Sequence, residues 1–265
     1  MKKYLVIGNP IQHSFSPKLH SYWFKKNNIE AIYEKKELNE NDIERIISEV
    51  RNDKINGINV TVPFKKSVIP FLDLLTPLAD EAQSVNTIYK EKDKIVGHNT
   101  DVGGFELSLK RINYEVKNKK IFILGSGGVV PSIIIALQKM KAFQIILSNR
   151  TKGKAEDLKK KLNKNLEILE WGKIPDFDMI INATSLGLKK NEEIKLDFSK
   201  IGPNKLFFDV IYNPNETKFL LNAKQNGHQV ENGKMMFIYQ AHQAFAIWHK
   251  VLPEINNETI KLLEQ

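Results

Sequence analysis

The chain has 265 residues, 42% hydrophobic and 27% charged, with a formal net charge of +9 at pH 7 and no cysteine. That length supports a sizeable core and reaches the size at which one core starts to divide in two, while the lack of cysteine excludes a disulfide framework, a thiolate metal site and a cysteine nucleophile. The opening apolar run is too short for a secretory signal, no stretch approaches the roughly 20 apolar residues of a membrane span, and the lysines are spread too evenly for a nucleic-acid stripe.

Strand-like and helical periods alternate along the chain. "YLVIG" reads as a strand and "SPKLHSYWFKKN" as a helix, with Leu19, Tyr22 and Trp23 at helical spacing. "NDIERIISEV" puts Ile43, Ile46, Ile47 and Val50 on one face, and "INGINVTV" is strand again. After Pro63 a short helix is expected to run to about Pro70, so that Lys65 falls in a first turn, where the macrodipole disfavours a cation. A helix over "PLADEAQS" precedes the strands "VNTIYK" and "KIVGHN", whose "EKDK" link reads as a hairpin turn.

From about Asp101 the rhythm is more regular. Helix "GGFELSLKRI", strand "KIFILG", a helix from Gly128, strand "FQIILSNR" and helix "KGKAEDLKKKL" come in turn. Strands "LEIL", "DMIINA" and "LFFDVI" follow on short connections, and the tail, "MMFIYQAHQAFAIWH" and "NETIKLLEQ", is helical. Such alternation predicts an α/β chain with a parallel sheet covered by helices on both faces. Two domains with a cleft between them are expected, residues 1–101 with 236–265 forming a substrate domain and 102–235 a Rossmann-like nucleotide domain.

Two groups of residues carry chemistry. In "KIFILGSGGVVPS" an apolar strand runs into Gly125-Ser126-Gly127-Gly128 and then a helix, a turn that lets backbone N–H groups approach a pyrophosphate. The fingerprint is imperfect, with Val130 in place of a third glycine, and a ligand-free turn is the alternative. About twenty residues on, where an acid would receive an NAD ribose, stand Asn149, Arg150 and Thr151, with Lys154 beyond. A guanidinium there suits a 2′-phosphate, which points to NADP.

The first half offers small polar groups at the ends of elements. Ser16 before Pro17 reads as an N-cap, which leaves Ser14 unaccounted for, and two hydroxyls at a helix start equally make a carboxylate site. Asn59 and Thr61 share one strand face, Lys65 follows, Asn86 opens another strand, and "GHNTD" delivers Asn99 and Asp101. Each alone could cap or turn the chain; together they suit an anionic, hydroxylated small molecule at strand ends.

With these motifs in this order, joined by "INATSLG", "DVIYNP" and "GKMMFIYQAHQAFAIW", the chain resembles the shikimate dehydrogenase family over essentially its full length. The resemblance implies NADPH-dependent reduction of 3-dehydroshikimate to shikimate, a step towards chorismate and the aromatic amino acids. It implies Lys65 and Asp101 as the catalytic pair. Ser14 and Ser16 would hold the substrate carboxylate, with Asn59, Thr61, Asn86, Tyr212 and Gln240 around the ring. Gly125, Ser126, Gly127, Gly128, Val129, Asn149, Arg150, Thr151, Lys154, Thr184, Ile211 and Gly233 would contact NADP. Departures are "VVPS" after the glycine turn and Leu188 where methionine is common. No metal is implied, a cytoplasmic setting is expected, and a homodimer is compatible with the sequence. An NAD(P)-linked quinate/shikimate dehydrogenase and a non-catalytic NADP-binding sensor stand as alternatives.

Overall fold

A computed structural model describes residues 1–162, 165–189 and 191–264. The chain divides into two compact units, residues 1–104 with 238–265 and residues 105–237.

The first unit is built on a six-stranded sheet. Its strands are β1 (Lys2–Gly8), β2 (Ala31–Glu37), β3 (Gly57–Val60), β4 (Leu74–Leu75), β5 (Thr87–Glu91) and β6 (Lys94–His98), in the order β2-β1-β3-β5-β6-β4. The sheet is mixed rather than parallel throughout: β1 runs parallel to β2 and β3, whereas β5 is antiparallel to β3 and to β6 across the expected hairpin. Because β1 lies inside the sheet, the side chains of Tyr4 to Ile7 are buried on both faces, which explains its unbroken apolar run. Helix α2 (Ile43–Arg51) covers one face through Ile43, Ile46, Ile47 and Val50, none more than 2% exposed. Burying four such side chains is worth about 6–12 kcal/mol as an upper bound, so packing holds this nine-residue helix where propensity alone would not.

Helices α1 (Ser16–Lys26) and α8 (Lys234–His249) bring aromatic side chains together in this unit. Trp23, Phe24, Tyr33, Phe245 and Trp248 surround His20, whose ring stacks on Tyr33 at 4.3 Å and 13°. The indole of Trp248 lies so close to Gly57 that a Cβ there would sit 2.5 Å from its Nε1. His20 is fully buried and neither of its ring nitrogens has a hydrogen-bond partner among the described residues, so burial, helped by nearby His249, pushes its pKa down to about 3. Unfolding restores an ordinary histidine, so the unfolded chain binds the extra proton and stability is lost as pH falls from about 6.5 towards 3. Between pH 8 and pH 5 this one residue should remove about 2 kcal/mol of unfolding free energy. His20→Phe, compared with the unchanged chain by urea denaturation at both pH values, should abolish that share of the acid sensitivity; an unchanged difference would show that the imidazole is not its source.

The second unit carries six parallel strands: β7 (Lys120–Leu124), β8 (Gln144–Ser148), β9 (Glu167–Leu169), β10 (Met179–Asn182), β11 (Leu206–Asp209) and β12 (Gln229–Asn232). Their order is β12-β11-β10-β7-β8-β9, the doubly wound arrangement in which the chain moves outward from β7 to β9 and then returns to β7's other side. The switch in direction therefore lies between β7 and β10. Helix α5 (Val130–Lys139) is buried at every residue from Val130 to Leu137, as a helix that is apolar all round must be. Helix α6 (Lys152–Leu162) follows β8, and α7 (Lys218–Gln225), capped by the Thr217 side chain, links β11 to β12.

The remaining helices are α3 (Pro77–Ala82), α4 (Asp101–Arg111) and α9 (Asn257–Lys261). The last residue of the tail expected to be helical, Gln265, lies outside the described residues. Two local expectations are corrected. No α-helix follows Pro63: residues 62–68 form successive turns that lead into a single 3₁₀ turn over Ile69–Phe71, held by bonds such as Phe64 N–H to the Thr61 carbonyl. Prolines 63 and 70 lack the N–H groups that a continuous helix would use. The helix after the glycine turn begins at Val130, not Gly128, because Gly127 accepts from Val130 N–H in a tight turn.

Candidate active site

Lys65 comes from the turns after β3, and Asp101 opens α4, 36 residues away in sequence. The fold places Lys65 Nζ 2.5 Å from Asp101 Oδ2, with the two side chains only 11% and 7% exposed. The backbone holds this pair from both sides. The Lys65 carbonyl accepts from Val85 N–H at 2.8 Å, and Asn99, fully buried, caps α4 by accepting from Val102 N–H at 3.2 Å. Asn86 Nδ2 donates to the other carboxylate oxygen of Asp101 at 3.0 Å and lies 3.4 Å from Gln240 Oε1 on α8. Lys65, Asn86, Asp101 and Gln240, named separately from the sequence, therefore form one hydrogen-bonded group.

Asn59 has a different setting. Its two amide hydrogens go to the Asn86 carbonyl at 3.1 Å and Thr87 Oγ1 at 3.2 Å, and its Oδ1 accepts from Tyr33 O–H at 2.7 Å. Asn59 thus acts on the group through Asn86 and Thr87 instead of presenting a spare donor. Tyr33, which was not picked out from the sequence, supports it from β2, two strands away across β1. Thr61, half-buried, follows the end of β3.

Ser14 Oγ donates to Ser16 Oγ at 3.2 Å and accepts from Ser16 N–H at 3.3 Å. Ser16 is not the N-cap: it is the first residue of α1, Phe15 flanks the helix, and no side chain supplies a cap bond. The two hydroxyls therefore face one another at a helix start, Ser14 accepting the first N–H of α1 and Ser16 lacking the N-cap role expected of it. Tyr212 belongs to the second unit, where its ring stacks on Phe237 at 4.4 Å.

In the second unit, the last residues of five strands fall in register across the carboxyl edge: Ser148, Leu124, Asn182, Asp209 and Asn232. The glycine turn leaves β7 at the switch point of this edge, where doubly wound sheets take their ligands. Gly125 has φ +109° and donates its N–H to the Ser148 carbonyl at 2.8 Å; a Cβ on it would sit 2.7 Å from the Ala183 carbonyl oxygen. Gly233 is tighter still, since a Cβ would lie 2.1 Å from the Val210 carbonyl oxygen. At both places the missing side chain lets one loop pack directly against the backbone of another, which fixes the shape of these turns. At the end of β8, Asn149 Nδ2 donates to the Thr151 carbonyl at 2.8 Å and so shapes the turn that presents Arg150, Thr151 and Lys154, all exposed. No acid occurs between Ser148 and Glu156, so this corner is cationic and fits a phosphorylated ribose. Ser126, Gly128 and Val129 complete the turn, while Thr184 and Ile211 stand just beyond the ends of β10 and β11.

A doubly wound sheet with a glycine turn at its switch point, in one chain with a buried amine–carboxylate pair, defines a nicotinamide-nucleotide-dependent dehydrogenase of two α/β domains. Comparison with known proteins gives the particular kind. Residues 6–88 match the family model described as shikimate dehydrogenase substrate binding domain, and residues 106–217 match that of shikimate/quinate 5-dehydrogenase. Shikimate dehydrogenase (NADP(+)) of Pelagibacter ubique is 59% identical over 263 residues, covering 99% of each chain. The crystal structure of shikimate dehydrogenase from Aquifex aeolicus superposes with a TM-score of 0.89 at 34% identity, covering 99% of this chain and 97% of that one. The Thermus thermophilus enzyme, solved with NADP(H) and shikimate, gives 0.88 at 28% identity, covering 100% of this chain and 97% of its own. The chain belongs to the shikimate dehydrogenase family.

Proposed function

We propose that this chain reduces 3-dehydroshikimate to shikimate with NADPH, on the route to chorismate and the aromatic amino acids. The observation that carries the reading is the buried contact of Lys65 with Asp101, inside a chain that aligns end to end with shikimate dehydrogenases. When bound, NADPH supplies the hydride, for which no side chain has an equivalent. The residues that would hold it are the glycine turn from Gly125 to Val129, the Asn149–Lys154 corner, Thr184, Ile211 and Gly233.

The remaining work falls to side chains. The Ser14 and Ser16 hydroxyls receive the substrate carboxylate. Thr61, Asn86 and Gln240 line the ring and its hydroxyls, and Asn59 holds Asn86 in place. Lys65 gives a proton to the carbonyl oxygen as that oxygen becomes a hydroxyl, and later recovers one from solvent. Asp101 fixes the direction of the amine, its own second oxygen being fixed by Asn86. In the reverse direction the neutral amine takes the proton back. No helix among the described residues is long and apolar enough to cross a membrane, and the absence of cysteine suits a reducing cytoplasm as the setting.

Absorbance of NADPH, followed with 3-dehydroshikimate and then with 3-dehydroquinate, tests this reading. Rapid loss with the first and little with the second is expected. Comparable rates with both would make the enzyme a quinate/shikimate dehydrogenase, and no loss with either would leave a non-catalytic nucleotide-binding protein.

A further inference from the structure

Asp209 is a fully buried carboxylate that the proposed chemistry does not use. It ends β11, in register with Asn182 at the end of β10, so the two side chains stand side by side on the carboxyl edge of the nucleotide-binding sheet. Three donors converge on it. Oδ1 accepts from Ile211 N–H at 3.0 Å and from Asn182 Nδ2 at 3.0 Å, and Oδ2 accepts from Thr217 O–H at 2.6 Å.

Each of those partners holds something else. Asn182 Oδ1 accepts from both Thr184 N–H at 3.0 Å and Thr184 O–H at 2.7 Å, while its second amide hydrogen goes to the Leu186 carbonyl at 3.1 Å. Thr184 Oγ1 then accepts from Leu186 N–H at 3.0 Å. Thr217 caps α7 through Leu220 N–H, and its methyl limits the space at Gly187, where a Cβ would lie 3.2 Å from Cγ2. Ile211 receives its fixed backbone direction from Asp209 itself. One carboxylate thus joins the loop after β10, the loop after β11 and the start of α7.

The choice of aspartate is costly. Burial pushes its carboxyl up to about 6, only partly offset by the three hydrogen bonds, so the ionised form is disfavoured by its surroundings. A chain that needed packing alone at this point would be better served by an apolar residue. What aspartate offers is acceptor-only character: asparagine would turn a donor towards one of three donors.

We infer that Asp209 is a positioning residue for the cofactor, holding the loops that carry Thr184 and Ile211 in the arrangement that receives NADPH. The inference rests on the reading that these loops take the cofactor, and it adds a residue that touches neither substrate nor reacting atoms. It differs in kind from the Arg150 corner. A misplaced loop should weaken NADPH and NADH alike, because both share everything except the 2′-phosphate.

Calorimetric titration of the full chain with NADPH, with NADH and separately with shikimate tests it. Asp209→Ala should weaken both nucleotides about tenfold, in line with the loss of charge-assisted hydrogen bonds. Shikimate affinity measured without nucleotide should stay within about twofold, since Ser14, Ser16, Asn86 and Gln240, proposed to bind it, lie in the first unit and Asp209 in the second. Should Asp209→Ala not fold, Thr217→Ala removes the contact to Oδ2 and should still weaken both nucleotides, with Thr217→Ser, which keeps the hydroxyl, restoring them. Nucleotide affinities unchanged in these variants, or shikimate affinity falling in step, would overturn the inference while leaving the proposed reaction intact. Failure of the unchanged chain to bind NADPH would overturn both.

Discussion

Lys65→Ala should lower kcat by about 10²- to 10⁴-fold, the usual worth of a positioned general acid, while KM for 3-dehydroshikimate stays within a few fold. The split follows from where the amine acts. In the proposed mechanism Ser14, Ser16, Thr61, Asn86 and Gln240 would bind the ground state and are left in place, whereas the proton from Lys65 would matter only as charge develops on the carbonyl oxygen. Removing the amine leaves Asp101, 5% exposed, with Asn86 Nδ2 still donating to it but no cation beside it, so a loss of stability is expected as well. Circular dichroism and the fraction of chain that binds NADPH separate that loss from the loss of chemistry. A second variant sharpens the point. If Lys65 and Asp101 work as one unit, Lys65→Ala combined with Asp101→Ala should be hardly slower than Lys65→Ala alone, as residues that act together are strongly non-additive. Near-normal kcat in the properly folded single variant would remove Lys65 from the mechanism.

Lys65 stands out in the sequence for a reason that the structure revises. Its position looked awkward because a helix was expected to begin at Pro63, but turns and a 3₁₀ segment occupy residues 62–71 and no α-helical macrodipole acts there. What singles out Lys65 is its partner. The amine and Asp101 lie 36 residues apart, and a hydrophobic period cannot report a contact of that range. The elements themselves were largely readable, since the apolar faces of α2 and the unbroken runs of β1 and β7 match their burial. Strand β2, "AIYEKKE", was missed because an edge strand with charges on its open side hides its period, and α7 was missed as well.

Polar residues divided in the same way. Those in a local motif, such as the glycine turn after β7 and the "SNRT" corner after β8, could be located at strand ends from the sequence. Those defined by register could not. Asn59 lies opposite Thr87, and Asn182 beside Asp209, through strand pairings that a single sequence does not disclose. Tyr33 and Asp209 have no motif of their own, and only the assembled sheets show that each supports a loop or side chain of the site.

Arg150→Ala should weaken NADPH by about tenfold to a hundredfold and NADH by no more than about twofold, because a charge-assisted contact to a phosphate contributes about 1.5–3 kcal/mol and NADH has no phosphate at that position. The corner favours this outcome for two reasons. Arg150 is exposed at the end of β8, next to a turn shaped by the Asn149 bond to Thr151, so its guanidinium is available to a ligand. The stretch from Asn149 to Ala155 also holds Lys152 and Lys154 and no acid, so nothing there would repel a doubly charged group or bind a ribose 2′-hydroxyl as NAD-selective enzymes do. Lys154 should carry part of the same preference, and its loss should add to that of Arg150 less than fully, since both would neutralise one phosphate. Salt gives an independent check. The NADPH-over-NADH preference of the unchanged chain should shrink as ionic strength rises, because exposed charges are screened over about 8 Å at physiological salt, whereas the Arg150→Ala preference should respond much less. Equal weakening of both nucleotides by Arg150→Ala would mean that the guanidinium supports the adenosine pocket generally and that selection for the phosphate lies elsewhere.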